Sequence, residues 1–315
     1  MTMDVADFCK ASKVMIVAGK GGVGRTTVAA TVTKMAADAG LTVLIIELEG
    51  KSGLPKCFSL GENSLNFTET EFSPRITARL LTPDEALIEY LSDHGMKRIS
   101  KKLAQSGVLD VVATAIPGIR DILVLGKIKQ LERSDAYDLI VVDAPATGHT
   151  LSFLGSAKGL LESARSGPVK QQATDVLELL NDPRRCQVLL VTLAEETPVN
   201  EAIEAAYGLE DRVGIKLGPI VINTVMECRD FANLSDKPPS DILSEIDIDT
   251  LQRAKNFYEI RSSFQHEQIA RLSSELPLSQ IILPDLFTSD IDINDLAVLA
   301  KSFKHGVELL HASKV

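Results

Sequence analysis

The sequence predicts an α/β fold: a doubly wound, mostly parallel sheet with helices on both faces and helical insertions forming a subdomain. Three observations carry this. Six short apolar runs rich in β-branched residues recur along the chain: VMIVAG from Val14, VLIIEL from Val43, LIVVDA from Leu139, VLLVTL from Val188, PIVIN from Pro219 and QIILP from Gln280. Unbroken apolar runs of this length fit strands buried on both faces, which is the condition of a parallel sheet covered by helices. Between the first two runs, Val28, Val32, Met35 and Ala36 fall on one face at helical spacing, and Gly40 supplies the stop. The link between the first strand and that helix is rich in glycine, so strand, loop, helix and strand form one unit.

The remaining elements follow in order. Pro74 to Leu80 (PRITARL) reads as a further strand, ahead of a helix opening at Thr82-Pro83-Asp84, with Thr as cap and Pro in the first turn. Residues 84–130 and 149–182 turn helical and polar-faced and are assigned to a helical subdomain. Residues 228–275 form an additional helical excursion, opening near Asp-Lys-Pro-Pro-Ser. No internal repeat interrupts this pattern, and large α/β folds use lengths of this order as one unit, so residues 1–315 are read as a single domain.

Composition narrows the function classes. Hydrophobic residues make up 45% and charged residues 24%, enough for a sizeable core and too apolar for disorder. Thirty-three basic against 43 acidic residues give a net charge of −10, and an acidic surface repels nucleic-acid backbones and anionic lipid. Cys9, Cys57, Cys186 and Cys228 are scattered, with neither a disulfide framework nor zinc-ligand spacing, as in reduced cytoplasmic proteins. The polar N-terminus does not read as a signal peptide, and no run reaches membrane-spanning length. A cytoplasmic chain without nucleic-acid partner or direct membrane insertion is expected.

The strongest chemical signal is Gly19-Lys20-Gly21-Gly22-Val23-Gly24-Arg25-Thr26-Thr27, directly after a strand and before a helix. Glycines let the backbone curl so that successive N–H groups face inward, and the helix N-terminus adds partial positive charge; together they cradle the β-phosphate of a nucleotide. All nine residues are expected to bind the nucleotide, with Thr26 on Mg²⁺. The segment departs from the usual P-loop in carrying Arg25 at the lysine position, and a planar guanidinium does not reproduce a compact ammonium bridging two phosphates. The second signal is the strand ending at Asp143 in LIVVDAPATGHT. A carboxylate at the carboxyl edge of the sheet, beside the P-loop, can accept hydrogen bonds from Mg²⁺ waters, which makes Asp143 the Walker B candidate.

These segments resemble the ArsA/GET-type ATPases, a deviant-Walker group within the SIMIBI-type P-loop NTPases. DAPATGHTLSFL is similar to the family's switch II pattern, close to DTAPTGHTLR. VLIIELEGKSGLPKCF aligns without a gap to switch I, of the form VLLISTDPAHNLSDAF; Pro117-Gly118-Ile119 resembles the PGI of the helical region, and LVTLAEETPVNEA resembles LVTLPETTPVLEA. The Glu in switch I makes the chain look closest to actinobacterial ArsA-like ATPases. The resemblance implies ATP and Mg²⁺ as cofactors. It implies that Lys20 reaches a partner's nucleotide in trans and that Glu49 orients the attacking water, so that Lys20, Glu49 and Asp143 are the catalytic candidates. It also implies an adenine contact from Asn223, with Pro284 at the end of the last apolar run also assigned to the nucleotide site.

Two bland readings stand beside these: Glu47, Glu49 and Lys51 as a solvated loop, and Asn223 as a strand-end cap. The family's cargo features are mostly missing. The cysteines show no thiolate cluster for arsenite, and of six methionines only Met96 lies in the helical region. Leu103, Leu109, Ile116, Ile119, Ile122 and Leu125 read as a groove lining or, more simply, as core. The expected partner is a second ATPase subunit, self or paralogue, with a hydrophobic or membrane-protein client left open. The alternative is a nucleotide-binding scaffold or catalytically impaired subunit of a heterodimer; a DNA-partition ATPase fits the charge poorly.

Overall fold

In the computed structural model, residues 3–48, 53–93, 95, 118–163, 166–227 and 245–310 are described. Eight strands form one sheet: β1 (Val14–Gly19), β2 (Val43–Glu47), β3 (Thr70–Ser73), β4 (Ile76–Leu80), β5 (Leu139–Ala146), β6 (Cys186–Leu193), β7 (Ile220–Val225) and β8 (Gln280–Pro284). Their spatial order is β3-β4-β2-β5-β1-β6-β7-β8. Every pairing is parallel except that of β3 with β4. All six apolar runs are strands, and PRITARL supplies β4.

The strands alternate between two cores. Ile16, Leu44, Ile46, Ile140 and Val142 belong to one apolar cluster. Met15, Val17, Ile45, Val141 and Leu189 belong to the other. A two-sided core is the physical reason these strands are apolar throughout.

On the first face lie α5 (Ile119–Arg133), α6 (Thr147–Ser163), α7 (Pro168–Asn181) and α8 (Glu196–Gly208). On the second lie α1 (Val5–Lys10), α2 (Arg25–Asp38), α3 (Leu54–Cys57) and α10 (Ile293–Leu309). α4 (Pro83–Asp93) follows β4, with the Glu85 amide donating to Thr82 Oγ1 at 3.4 Å, and α9 (Glu245–Glu275) precedes β8.

Several elements exceed the sequence expectation. The polar N-terminus forms α1, which buries Val5, Phe8 and Cys9, with Phe8 against Phe303 of α10 at 6.1 Å between ring centroids. β3 forms a hairpin with β4 through Pro74 and Arg75, the latter at φ +68°. α2 is apolar beyond the expected face: Ala29 and Ala30 are also buried, and α10 packs along it on the same face of the sheet. Within the assigned helical regions, α4, α5, α6 and α7 are helices and residues 96–117 lie outside the described set. The same holds for 228–244 ahead of α9.

Candidate functional site

β1 lies between β5 and β6, and the glycine loop leaves its carboxyl end for α2. Gly22 and Gly24 adopt φ +87° and +85°. A Cβ on Gly24 would meet Asn223 Nδ2 at 2.2 Å, and one on Gly19 would meet the Val191 carbonyl at 2.5 Å, whereas Gly21 and Gly22 border open space. The loop is therefore pinned at both ends and open at its crest. Gly24 caps α2, its carbonyl accepting from the Val28 amide at 2.9 Å, and no acidic residue occupies the first turn. An uncompensated helix N-terminus beside an open glycine bend favours an anion.

Thr26, in that first turn, donates its hydroxyl to Asp143 Oδ2 at 2.6 Å. Asp143 stands on β5 in register with Val17 of β1 and Glu47 of β2, and is 7% exposed. A hydroxyl and a carboxylate side by side at the mouth of an anion cradle are the hard oxygen donors that suit Mg²⁺ on a nucleotide. These residues fit the metal. Glu47, the last residue of β2, is 2% exposed. The solvated-loop reading is thus wrong for Glu47, because it still belongs to β2 and is covered there, paired with Asp143 of β5. Alternation puts Glu47 and Asp143 on the same face of the sheet. Burial pushes the neighbouring Cys57 thiol up to about 11, with the Asp143 charge adding to the rise against the thiol's own backbone hydrogen bond.

The other assigned residues divide. Arg25 donates from Nη1 to the carbonyl of Ala144, the residue after Asp143. Lys20, half exposed, places its ammonium 2.5 Å from Glu201 Oε1 on α8 of its own chain. Val23 is buried, and Thr27 accepts the Thr31 hydroxyl at its carbonyl at 2.8 Å. Asn223 is 5% exposed and donates from Nδ2 to the Val23 carbonyl at 3.1 Å, so β7 reaches back across β6 to the P-loop. Pro284 ends β8 beside Val225, one strand further from the loop. Glu49 and Lys51 lie outside the described residues, as do Leu103, Leu109, Ile116, Met96 and Cys228. Ile122 and Leu125 sit in the apolar core and Ile119 is buried, which matches the simpler reading for these three.

Sequence reasoning missed two contributors. Glu201 carries no motif of its own and is identified only by its contact with Lys20. Glu47 shared with Asp143 the signal of an acid closing an apolar strand. The remaining described thiols are buried and chemically quiet. Burial, with Asp4 adding, pushes Cys9 up to about 12, and burial also raises Cys186. Among the described residues no group of three or more His, Cys, Asp or Glu could hold a metal.

Comparison with known proteins identifies a family. A family model described as anion-transporting ATPase matches residues 12–165, from β1 through α6. "ATPase BagA" of Mycobacterium tuberculosis is 31% identical over 251 residues, covering 75% of this chain and 71% of the relative. A "Putative arsenical pump-driving ATPase" of Halobacterium salinarum is 26% identical over 298 residues, covering 88% of this chain and 42% of that protein. "ATPase GET3" of Pyricularia oryzae is 28% identical over 180 residues, covering 55% and 50%. The matched stretch contains the glycine bend, Thr26 and Asp143, and with 31% identity to a relative of which 71% is covered the chain belongs to the ArsA-type anion-transporting ATPase family.

Proposed function

We propose that this chain is an ATP-binding and ATP-hydrolysing molecular switch that works as one of two facing subunits. The observation that carries the reading is the 2.6 Å contact between Thr26 and Asp143 at the mouth of the glycine bend. Loop amides and the α2 N-terminus hold the phosphates. Thr26 and Asp143 would hold Mg²⁺, which neutralises charge on the β- and γ-phosphates when bound. Glu49 orients a water toward the γ-phosphorus; the new P–O bond forms as the bond to the bridging oxygen breaks, leaving ADP and inorganic phosphate. Lys20 contributes its charge to the nucleotide of the opposite subunit, and one P-loop per chain makes the second subunit necessary.

A second reading is favoured by Arg25, whose guanidinium rests on the Ala144 carbonyl. Arginine keeps the charge at this position without the reach of a point ammonium, and Glu49 differs from the family's Asp by one methylene. Turnover then depends on a paralogous subunit that supplies the lysine and aspartate. Calorimetry with Mg-ATP, followed by phosphate release from the chain alone, with the paralogue and after Arg25→Lys, separates the readings. Heat with measurable release from the chain alone supports the autonomous switch. Heat without release, restored by Arg25→Lys or by the paralogue, supports the impaired subunit. No heat with any adenine or guanine nucleotide defeats both. The client stays open, and among the described residues no helix is long and apolar enough to cross a membrane.

A further inference from the structure

We propose that Glu201 is an intrachain hold on Lys20, an autoinhibitory contact that nucleotide and the second subunit must break together. This rests on the switch reading above. Lys20 opens the crest of the P-loop, where its neighbours Gly21 and Gly22 border open space. Its ammonium nevertheless lies against its own chain, 2.5 Å from Glu201 Oε1. The position of Glu201 is set by packing. It stands on α8 next to Ala202, and Val199, Ala202, Ala205 and Ala206 of that helix are buried against the sheet, so the carboxylate is presented from a fixed backbone. A lysine held there cannot at the same time lie on the phosphates of a facing subunit.

The contact sits at a junction. Lys20 and Glu201 line a cleft of about 290 Å³ with Leu151, Glu204, Gly208 and Arg212. Leu151 belongs to α6, the helix that begins within the DAPATGHT segment, and it packs so closely on α8 that a Cβ on Gly208 would meet its Cδ2 at 3.2 Å. The ion pair thereby ties the P-loop to the two helices that flank it. Both partners are partly solvated, with side chains 53% and 27% exposed. A pair of this kind biases an equilibrium by about twofold to fivefold, which a multiply charged phosphate can overcome. The hold is weak enough to release and strong enough to set the concentration at which subunits pair.

The test uses the full chain and Glu201→Gln. In the nucleotide-free protein, acetylation of Lys20 by acetic anhydride is followed by mass spectrometry against exposed Lys216. The expected result is about twofold to fivefold faster labelling of Lys20 in E201Q, with Lys216 unchanged. In sedimentation with Mg-ATP, the concentration for half-association falls by a similar factor, and the gain disappears in a Lys20→Gln background. Unchanged Lys20 labelling, or weaker association in E201Q, overturns the hold and assigns Glu201 elsewhere. Faster labelling with no nucleotide-driven association in either protein also overturns it, as a mere surface pair. If calorimetry then shows nucleotide heat, the switch reading survives that loss; if it shows none, both fall.

Discussion

At the residue scale the site is built from conformations that only particular side chains permit. Gly24 combines φ +85° with a neighbour, Asn223 Nδ2, that a Cβ would approach to 2.2 Å. Gly24→Ala is therefore expected to lose on the order of 1–3 kcal/mol of stability and most nucleotide affinity, measured by urea unfolding and calorimetry. Gly21→Ala, whose Cβ would meet nothing within 4 Å, serves as the mild control. Thr26→Ala removes the hydroxyl bonded to Asp143; a hydrogen bond to a charged group contributes roughly 1.5–3 kcal/mol, so the magnesium-dependent part of nucleotide affinity should fall about tenfold or more. Equal affinity with and without magnesium in the wild type would remove the basis for that role. The glycines, Thr26 and Asp143 were legible because their chemistry depends on local spacing. The bond from Asn223 to Val23 was not, since it joins residues 200 positions apart.

At the element scale, strands were read well and helix faces less well. A strand buried on both sides announces itself by an unbroken apolar run, whereas β3 is four residues long, mostly unburied and joined by a Pro-Arg turn instead of a glycine pair, so no local signal marked it. α10 is opened by a capping box, Asp292 accepting from the amides of Asn294 and Asp295 while the Asp295 side chain accepts from the Asp292 amide. That signature, with aspartate in place of the commoner glutamate, was present in the sequence and went unread.

α9 inverts the usual pattern. Its buried stripe includes Ser262, Gln265 and Gln268, while Phe257 and Ile260 are exposed. Gln265 explains part of this, donating to the Thr224 carbonyl at 3.1 Å and accepting the Met226 amide at 2.8 Å at the end of β7. Gln265→Ala strands two main-chain groups beside the strand that carries Asn223. The expected cost is about 1–3 kcal/mol by chemical denaturation, with a secondary loss of nucleotide affinity. Full stability in that variant would show that water replaces the amide.

For the whole molecule, acid sensitivity follows from carboxylates held ionised by hydrogen bonds, two of them between distant segments and one at a helix cap. The Thr42 amide and hydroxyl hold Asp138 below the ordinary carboxylate range, Lys129 of α5 does so for Asp175 of α7, and the amides of Asp295 and Asn294 do so for Asp292. A group with a depressed folded pKa contributes stability that is present above its unfolded value, near pH 4, and lost as pH falls through the lower folded value. Burial holds Glu85 and Asp121 above their ordinary values, which works in the opposite sense. The urea midpoint should thus drop as pH falls below about 4. Asp138→Asn should be less stable than wild type at pH 7, with the gap narrowing as pH falls below about 4; a difference independent of pH would exclude the charge as the cause.

The sequence by itself determined the buried strands of the sheet, the βαβ unit around the glycine bend, the acid carried on β5 and the family resemblance. Periodicity, turn chemistry and motif spacing are local properties, written within a few turns of chain. Only the tertiary structure decided that Glu47 is buried in register with Asp143, that Asn223 reaches across β6 to brace the P-loop, and that Lys20 rests on Glu201. Each of these depends on strand order and helix packing, where residues far apart in the chain become neighbours, and no local signal encodes the identity of a neighbour brought in from elsewhere.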